Sequence, residues 1–309
     1  MKNTIGIIDL GSNTFHLLIA RITSEGFEII YKERSYVFLA QNGINTIAQE
    51  AFDRGQQTLE SFYQSCRDHN TLDIIAVGTA ALRSASNGLL FLEMAKNRFG
   101  IEIELIDGNR EAQLIYKGIV AACPDYSSDA LMMDIGGGST EFTITKNNSV
   151  VFQESLPIGL GVIRNSLPLS DPATSEEIQI VKNFIELKSG KLIENLNGVR
   201  PKNLIGGSGT FDVIAEATIG PDFQNQDCGT ATLEQVNNYI SPIISSTEAE
   251  RIQNSSIPQK RVNLAVYAFI MIEWILEQIE FEKIVFSKFA LKEGLLQECF
   301  ENWKRTKQK

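Results

Sequence analysis

The chain has 309 residues, 43% apolar and 21% charged, in the ordinary range for a folded globular protein and long enough for two domains of roughly 150 residues. Acidic residues outnumber basic ones 38 to 28, a net charge of −10, which argues against nucleic acid as a general partner because such binding needs a basic face. No apolar run approaches the ~18 residues of a membrane span, and Met1-Lys2-Asn3-Thr4 leads into a strand without a signal-peptide core, so the expected compartment is the cytoplasm, with no membrane partner. Cys66, Cys123, Cys228 and Cys299 are scattered without a C-x-x-C pair, so reduced buried thiols are expected. His16 and His69 are too few for a histidine metal cluster.

In chain order, alternating apolar residues predict a three-strand meander: Thr4–Leu10, Phe15–Ile22 and, after Gly26, Phe27–Tyr36. A helix is predicted over Ala48–Asp68 from the stripe Phe52, Leu59, Phe62, Tyr63 and Cys66. A buried strand at 73–78 precedes Thr79-Ala80-Ala81-Leu82-Arg83. Asn87 is positioned to cap a helix that Gly100 stops, and a strand at 101–106 leads to a helix at 110–122. Pro124 and the polar stretch behind it mark a domain junction. The second half repeats the plan, with strands at 130–134, 141–146 and 150–157, and a helix over 174–196 with a capping signature at Thr174 or Ser175. A short strand, Leu204-Ile205, follows, then helices at 209–218, 233–246, 261–279 and 291–305. Strands alternating with helices give an α/β fold.

Two segments are related. Ile7-Ile8-Asp9-Leu10-Gly11-Ser12-Asn13-Thr14 and Met132-Met133-Asp134-Ile135-Gly136-Gly137-Gly138-Ser139-Thr140-Glu141 each run from apolar strand to aspartate, glycine turn and hydroxyls, and an apolar stretch resumes after each. Such turns aim backbone N–H groups into a concavity that suits phosphate oxygens, although a plain hairpin with glycine at positive φ would look similar. The adjacent aspartates can hold a divalent metal, and Gly206-Gly207-Ser208-Gly209-Thr210 adds a third turn at a helix start, another anion-binding geometry. His16 aligns with Glu141 in the repeat and reads as structural.

Asp9-Leu10-Gly11-Ser12-Asn13-Thr14-Phe15-His16, Gly78-Thr79-Ala80-Ala81-Leu82-Arg83, Glu111 opening a helix, Asp134-Ile135-Gly136-Gly137-Gly138-Ser139-Thr140-Glu141, Gly206-Gly207-Ser208-Gly209-Thr210 and Ser287-Lys288-Phe289-Ala290-Leu291-Lys292-Glu293-Gly294 together resemble the Ppx/GppA phosphatases over essentially the whole chain. The resemblance implies two actin-like (ribonuclease H-like) domains with an interdomain cleft: residues 1–124, with the last helix (about 288–309) packing back on them, and residues 125–287. It implies Mg2+-dependent release of terminal orthophosphate from polyphosphate, or of the 5′ γ-phosphate of guanosine pentaphosphate, in the same site. Glu111 would be the general base, Asp134 and Glu141 the further catalytic carboxylates, and Asp134, Glu141 and Asp9 the metal carboxylates. Gly11, Ser12, Asn13, Thr14, Arg83, Gly137, Gly138, Ser139, Thr140, Gly207, Ser208, Gly209 and Thr210 would hold substrate phosphates. Neighbouring carboxylates are expected to raise the pKa of Glu111 by like-charge repulsion. The family's acidic run before this glutamate is here Asp107-Gly108-Asn109-Arg110, so only Glu111 keeps register. The length matches the short two-domain members, and the resemblance allows a homodimer. An actin-like kinase would need an acceptor-binding insertion that is not visible, and a non-catalytic alarmone sensor would have lost carboxylates that this chain keeps.

Overall fold

Strand β1 (Asn3–Leu10) buries Ile5, Ile7, Ile8 and Leu10 and pairs antiparallel with β2 (Thr14–Ile22), which pairs with β3 (Phe27–Tyr36). Helix α1 (Gln49–Asp68) turns Ala51, Gly55, Leu59, Phe62 and Cys66, spaced by three and four residues, onto this sheet. Strand β4 (Asp73–Gly78) lies parallel to β1; α2 (Ala80–Ser84) and α3 (Gly88–Phe99) follow, and Gly100 ends α3 at φ +68°. Strand β5 (Ile103–Leu105) completes the first sheet, and α4 (Gly108–Ala122) leads out of it. The computed structural model describes residues 3–41, 43–71 and 73–307; residues 308 and 309 of the expected last helix lie outside these.

The second half opens with β6 (Ala130–Ile135), β7 (Thr140–Lys146) and β8 (Ser149–Leu156), again an antiparallel meander. Helices α5 (Leu160–Ser166), α6 (Ser175–Lys188) and α7 (Gly190–Val199) precede β9 (Asn203–Gly207) and α8 (Ser208–Thr218). Then come β10 (Cys228–Ala231), α9 (Leu233–Ile244), α10 (Glu248–Gln253), α11 (Val262–Gln278), β11 (Lys283–Ser287) and α12 (Leu291–Lys307). The sheets run β3-β2-β1-β4-β5 and β8-β7-β6-β9-β11-β10, so the second repeats the order of the first with β10 added at its edge. Both outer hairpins shift register at matching places, between Ile19 and Ala20 and between Ile144 and Thr145. The duplicated α/β sheets agree with the actin-like fold class that the resemblance implies.

One unit comprises residues 1–118, 136–138 and 291–309, the other 119–135 and 139–290. The first division falls inside α4, ahead of the junction expected at 124. In the first unit, α12 packs on β1 and β2, and Phe300 meets Phe27 edge-on with ring centroids 6.1 Å apart. In the second, α11 is buried almost all round, from Val262 to Ile275, and forms the centre of the core.

Several local expectations change. Thr174 caps α6 with Glu177 in a capping box, but the helix stops at Lys188 and α7 restarts at Gly190. Asn87 does not cap α3; its side-chain amide accepts from Ile47 N and donates to Ile47 O, tying down the loop before α1. Strands form at 228–231 and 283–287, where the sequence pattern predicts none. Cys123 and Cys228 are joined as a disulfide with Cα atoms 5.4 Å apart, correcting the expectation of four reduced thiols. Linear spacing could not reveal this pair, 105 residues apart in sequence. Cys66 and Cys299 are free, and burial pushes both thiols up to about 11, away from reactivity. No helix among the described residues is long and apolar enough to cross a membrane.

Candidate active site

The aspartate of each repeat ends the first strand of its meander. Across the ladder Asp9 stands opposite His16, and Asp134 opposite Glu141. Directly opposed residues of an antiparallel pair project from the same face with Cβ atoms about 5 Å apart, so Asp134 and Glu141 form a carboxylate pair by topology alone. Both are buried, yet each is held by a hydroxyl: Ser208 Oγ donates to Asp134 Oδ2 at 2.7 Å, and Ser155 Oγ to Glu141 Oε1 at 2.7 Å. Among the described residues no group of three His, Cys, Asp or Glu side chains is found that could hold a metal ion; of the expected carboxylates, Asp134 and Glu141 are paired within the second unit, and Asp9 belongs to the first.

The first glycine turn is wired to its own unit. Gly11 N–H donates to Thr14 O at 3.1 Å, and Asn13 O accepts from both Val37 N and Phe38 N. Ser12 Oγ accepts from Ala81 N at 3.2 Å, at the start of α2. The Gly136–Gly138 segment belongs to this same unit. A Cβ on Gly137 would stand 2.7 Å from the Asn13 side chain, and one on Gly138 would meet Ala80 and Ser12. Gly11, Gly137 and Gly138 all have ordinary φ, so space rather than positive φ requires glycine at 137, unlike in a plain hairpin. Ser12, Asn13, Gly137 and Gly138 are therefore brought together.

The hydroxyls that flank these turns divide. Thr140, fully buried in β7, donates to Ile158 O at 3.3 Å and also contacts Met271 Sδ, so its hydroxyl has partners in the core. Thr14 and Ser139 are buried beside their turns. In the third turn, Gly207 is the parallel-ladder partner of Asp134, and Ser208, Gly209 and Thr210 open α8. That places this turn next to the carboxylate pair within one unit.

Glu111 sits in the first turn of α4, buried, where the helix dipole favours a carboxylate. Arg83 Nη1 lies 3.9 Å from Glu111 Oε2 and donates to Ile106 O. The approach places a cation beside Glu111. The preceding residue, Arg110, turns to α12 and forms a two-pronged pair with Glu298, which also accepts from Lys117 at 2.7 Å.

Two neighbours escaped the sequence reading. Ser155 was one more polar strand residue, identifiable only from the β7–β8 register. Arg261 packs its guanidinium where a side chain at Gly209 would otherwise sit; the basic pair Lys260-Arg261 at the mouth of a long apolar helix was the available signal.

The second unit carries a buried carboxylate pair on one sheet face, and the first carries glycine turns and a glutamate beside an arginine; these are residue types that phosphate chemistry uses. Residues 18–302 match the model of the Ppx/GppA phosphatase family. The chain is 32% identical over 302 residues to a protein of Pseudoalteromonas translucida named guanosine-5′-triphosphate,3′-diphosphate pyrophosphatase, and spans 59% of that protein's length. It is 28% identical over 302 residues to a putative exopolyphosphatase of Haemophilus influenzae, covering 97% of this chain and 92% of the relative. The crystal structure of an exopolyphosphatase from Cytophaga hutchinsonii superposes with a TM-score of 0.92 at 34% identity, covering 97% of this chain and 98% of that one. With the duplicated sheets and both aspartate-glycine turns in place, the chain belongs to the Ppx/GppA phosphatase family.

Proposed function

We propose that the protein is a Mg2+-dependent exopolyphosphatase that releases terminal orthophosphate from inorganic polyphosphate. The observation that carries the reading is the Asp134–Glu141 pair, fixed by ladder register and held by Ser208 and Ser155. The 34% identity to the Cytophaga hutchinsonii exopolyphosphatase, over 97% of this chain and 98% of that one, supports polyphosphate as the substrate.

The donor set fits magnesium: Mg2+ takes one or two carboxylates and fills its remaining positions with water and phosphate oxygens, and Asp134 and Glu141 supply two oxygen ligands on one face. Bound there, the ion would neutralise charge on the phosphate oxygens. The protein's own part is positioning. Backbone N–H groups of the glycine turns orient the terminal phosphate, and Glu111 takes a proton from the attacking water, with Arg83 beside it. No serine or cysteine needs to form a covalent intermediate.

Hydrolysis of the γ-phosphate of guanosine pentaphosphate is the second reading, favoured by the 32% identity to the Pseudoalteromonas protein. Phosphate release from polyphosphate of defined lengths and from guanosine pentaphosphate, compared by kcat/KM, decides between them. The account expects polyphosphate to be the better substrate by at least about tenfold, a 1.4 kcal/mol preference. A preference for guanosine pentaphosphate would reverse the assignment.

A further inference from the structure

Ser208 holds a backbone conformation that its neighbours could have taken at lower cost. It joins β9 to α8 with φ +65°, the left-handed region that non-glycine residues avoid. Glycines stand at 206, 207 and 209, and none of them has positive φ. Two of these glycines serve space instead: a Cβ at 206 would run into the Phe211 ring, and one at 209 into the Arg261 guanidinium. The left-handed residue is thus the serine, and its hydroxyl donates to Asp134 Oδ2 at 2.7 Å, short as expected for O–H···O− with an ionised acceptor. Strain kept at a site signals a geometric demand.

We propose that Ser208 is a positioning residue: its left-handed backbone aims the hydroxyl at Asp134, fixing the carboxylate torsion so that the other oxygen is presented to the divalent cation. This reassigns Ser208 from phosphate binding and rests on Asp134 being a metal carboxylate in the proposed hydrolase. A hydroxyl that bound substrate would strengthen ground-state binding; one that orients a ligand carboxylate acts on metal affinity and on turnover. Oriented ligand carboxylates typically owe such partners 10–100-fold in affinity or activity.

The test uses the whole chain with Ser208→Ala, Ser208→Gly and Asp134→Asn. MgCl2 is titrated without substrate by thermal shift, and kcat and KM are measured on polyphosphate. Both serine variants should lower kcat and weaken Mg2+ binding by about tenfold or more, with KM within about twofold of wild type. They should part in stability. Ser208→Gly relaxes the backbone and melts about 2–4 °C above Ser208→Ala, which keeps the strain without the bond. A rise in KM with kcat and Mg2+ affinity unchanged overturns the proposal in favour of a substrate contact. Recovery of wild-type Mg2+ affinity in Ser208→Gly overturns it as well, because the hydroxyl would then be dispensable. Asp134→Asn with full turnover removes the metal assignment beneath it, whereas an inactive Asp134→Asn beside an unaltered Ser208→Ala removes this inference alone.

Discussion

Gly137 shows most sharply what a single residue does here. Its missing side chain lets the Asn13 amide approach to where a Cβ would stand 2.7 Å away, a separation that carbon atoms do not tolerate. The obstacle is the end of a short side chain, so Gly137→Ala should displace Asn13 rather than unfold the protein. We expect kcat/KM on polyphosphate to fall by about 10–100-fold, because displacements on the scale of 1 Å at a positioned site cost that much. The melting temperature should barely move. In an Asn13→Ala background the same substitution should cost far less, since the two residues act through one contact. Additive losses in that cycle would mean that Gly137 acts through something other than Asn13. The repeat itself was legible in the sequence: two aspartates before two glycine turns, with Glu141 in the place of His16. Which atoms of the turns are already engaged was not legible, because the N–H groups that donate to the Asn13 and Ser12 carbonyls, those of Val37, Phe38 and Ala40, belong to a loop with no pattern of its own.

At the scale of elements, the part of α4 that carries Glu111 lies in the first unit, where α12 holds it. A Cβ at Gly294 would collide with the Leu114 carbonyl, so glycine there permits close packing of the two helices. Glu298 accepts from Arg110 and Lys117, and the Arg110 guanidinium holds its carboxyl down to about 2. A carboxyl lowered in the folded state stabilises above its unfolded value, and that contribution disappears as pH falls through the folded value. Glu298→Gln should therefore cost about 1–2 kcal/mol near neutrality, where the partly exposed pair is screened by solvent. The gap to wild type should close as pH falls from about 4.5 toward about 2. Melting curves at pH 3 and pH 7 measure it, and a gap as large at pH 3 as at pH 7 would contradict the linkage. Elements with strong periodicity, such as the meanders, α1 and the capped start of α6, could be read from sequence. The strands β10 and β11 could not, since four or five residues without alternation resemble a loop or a helix end until their ladder partners are known. Ser189 and Gly190 break the predicted 174–196 helix for the same reason: the apolar spacing continues across the break.

For the whole chain, duplication is the organising fact. Two sheets share one strand order, and the aspartate that ends each first strand is followed by a glycine turn. Composition alone excluded only broad classes; the order of motifs carried the family, and the family model matches 18–302. The Cys123–Cys228 bond shows the limit of linear reading, since both residues looked like isolated buried thiols. The central claim is that Glu111 serves as the base for hydrolysis of a terminal phosphoanhydride. Single-turnover phosphate release from polyphosphate by Glu111→Gln tests it most directly, because the substitution keeps the size of the side chain and removes the proton acceptor. The account predicts a fall in the chemical step of about 10²–10⁴-fold, with Mg2+-dependent thermal shift unchanged. Release at the wild-type rate would contradict it.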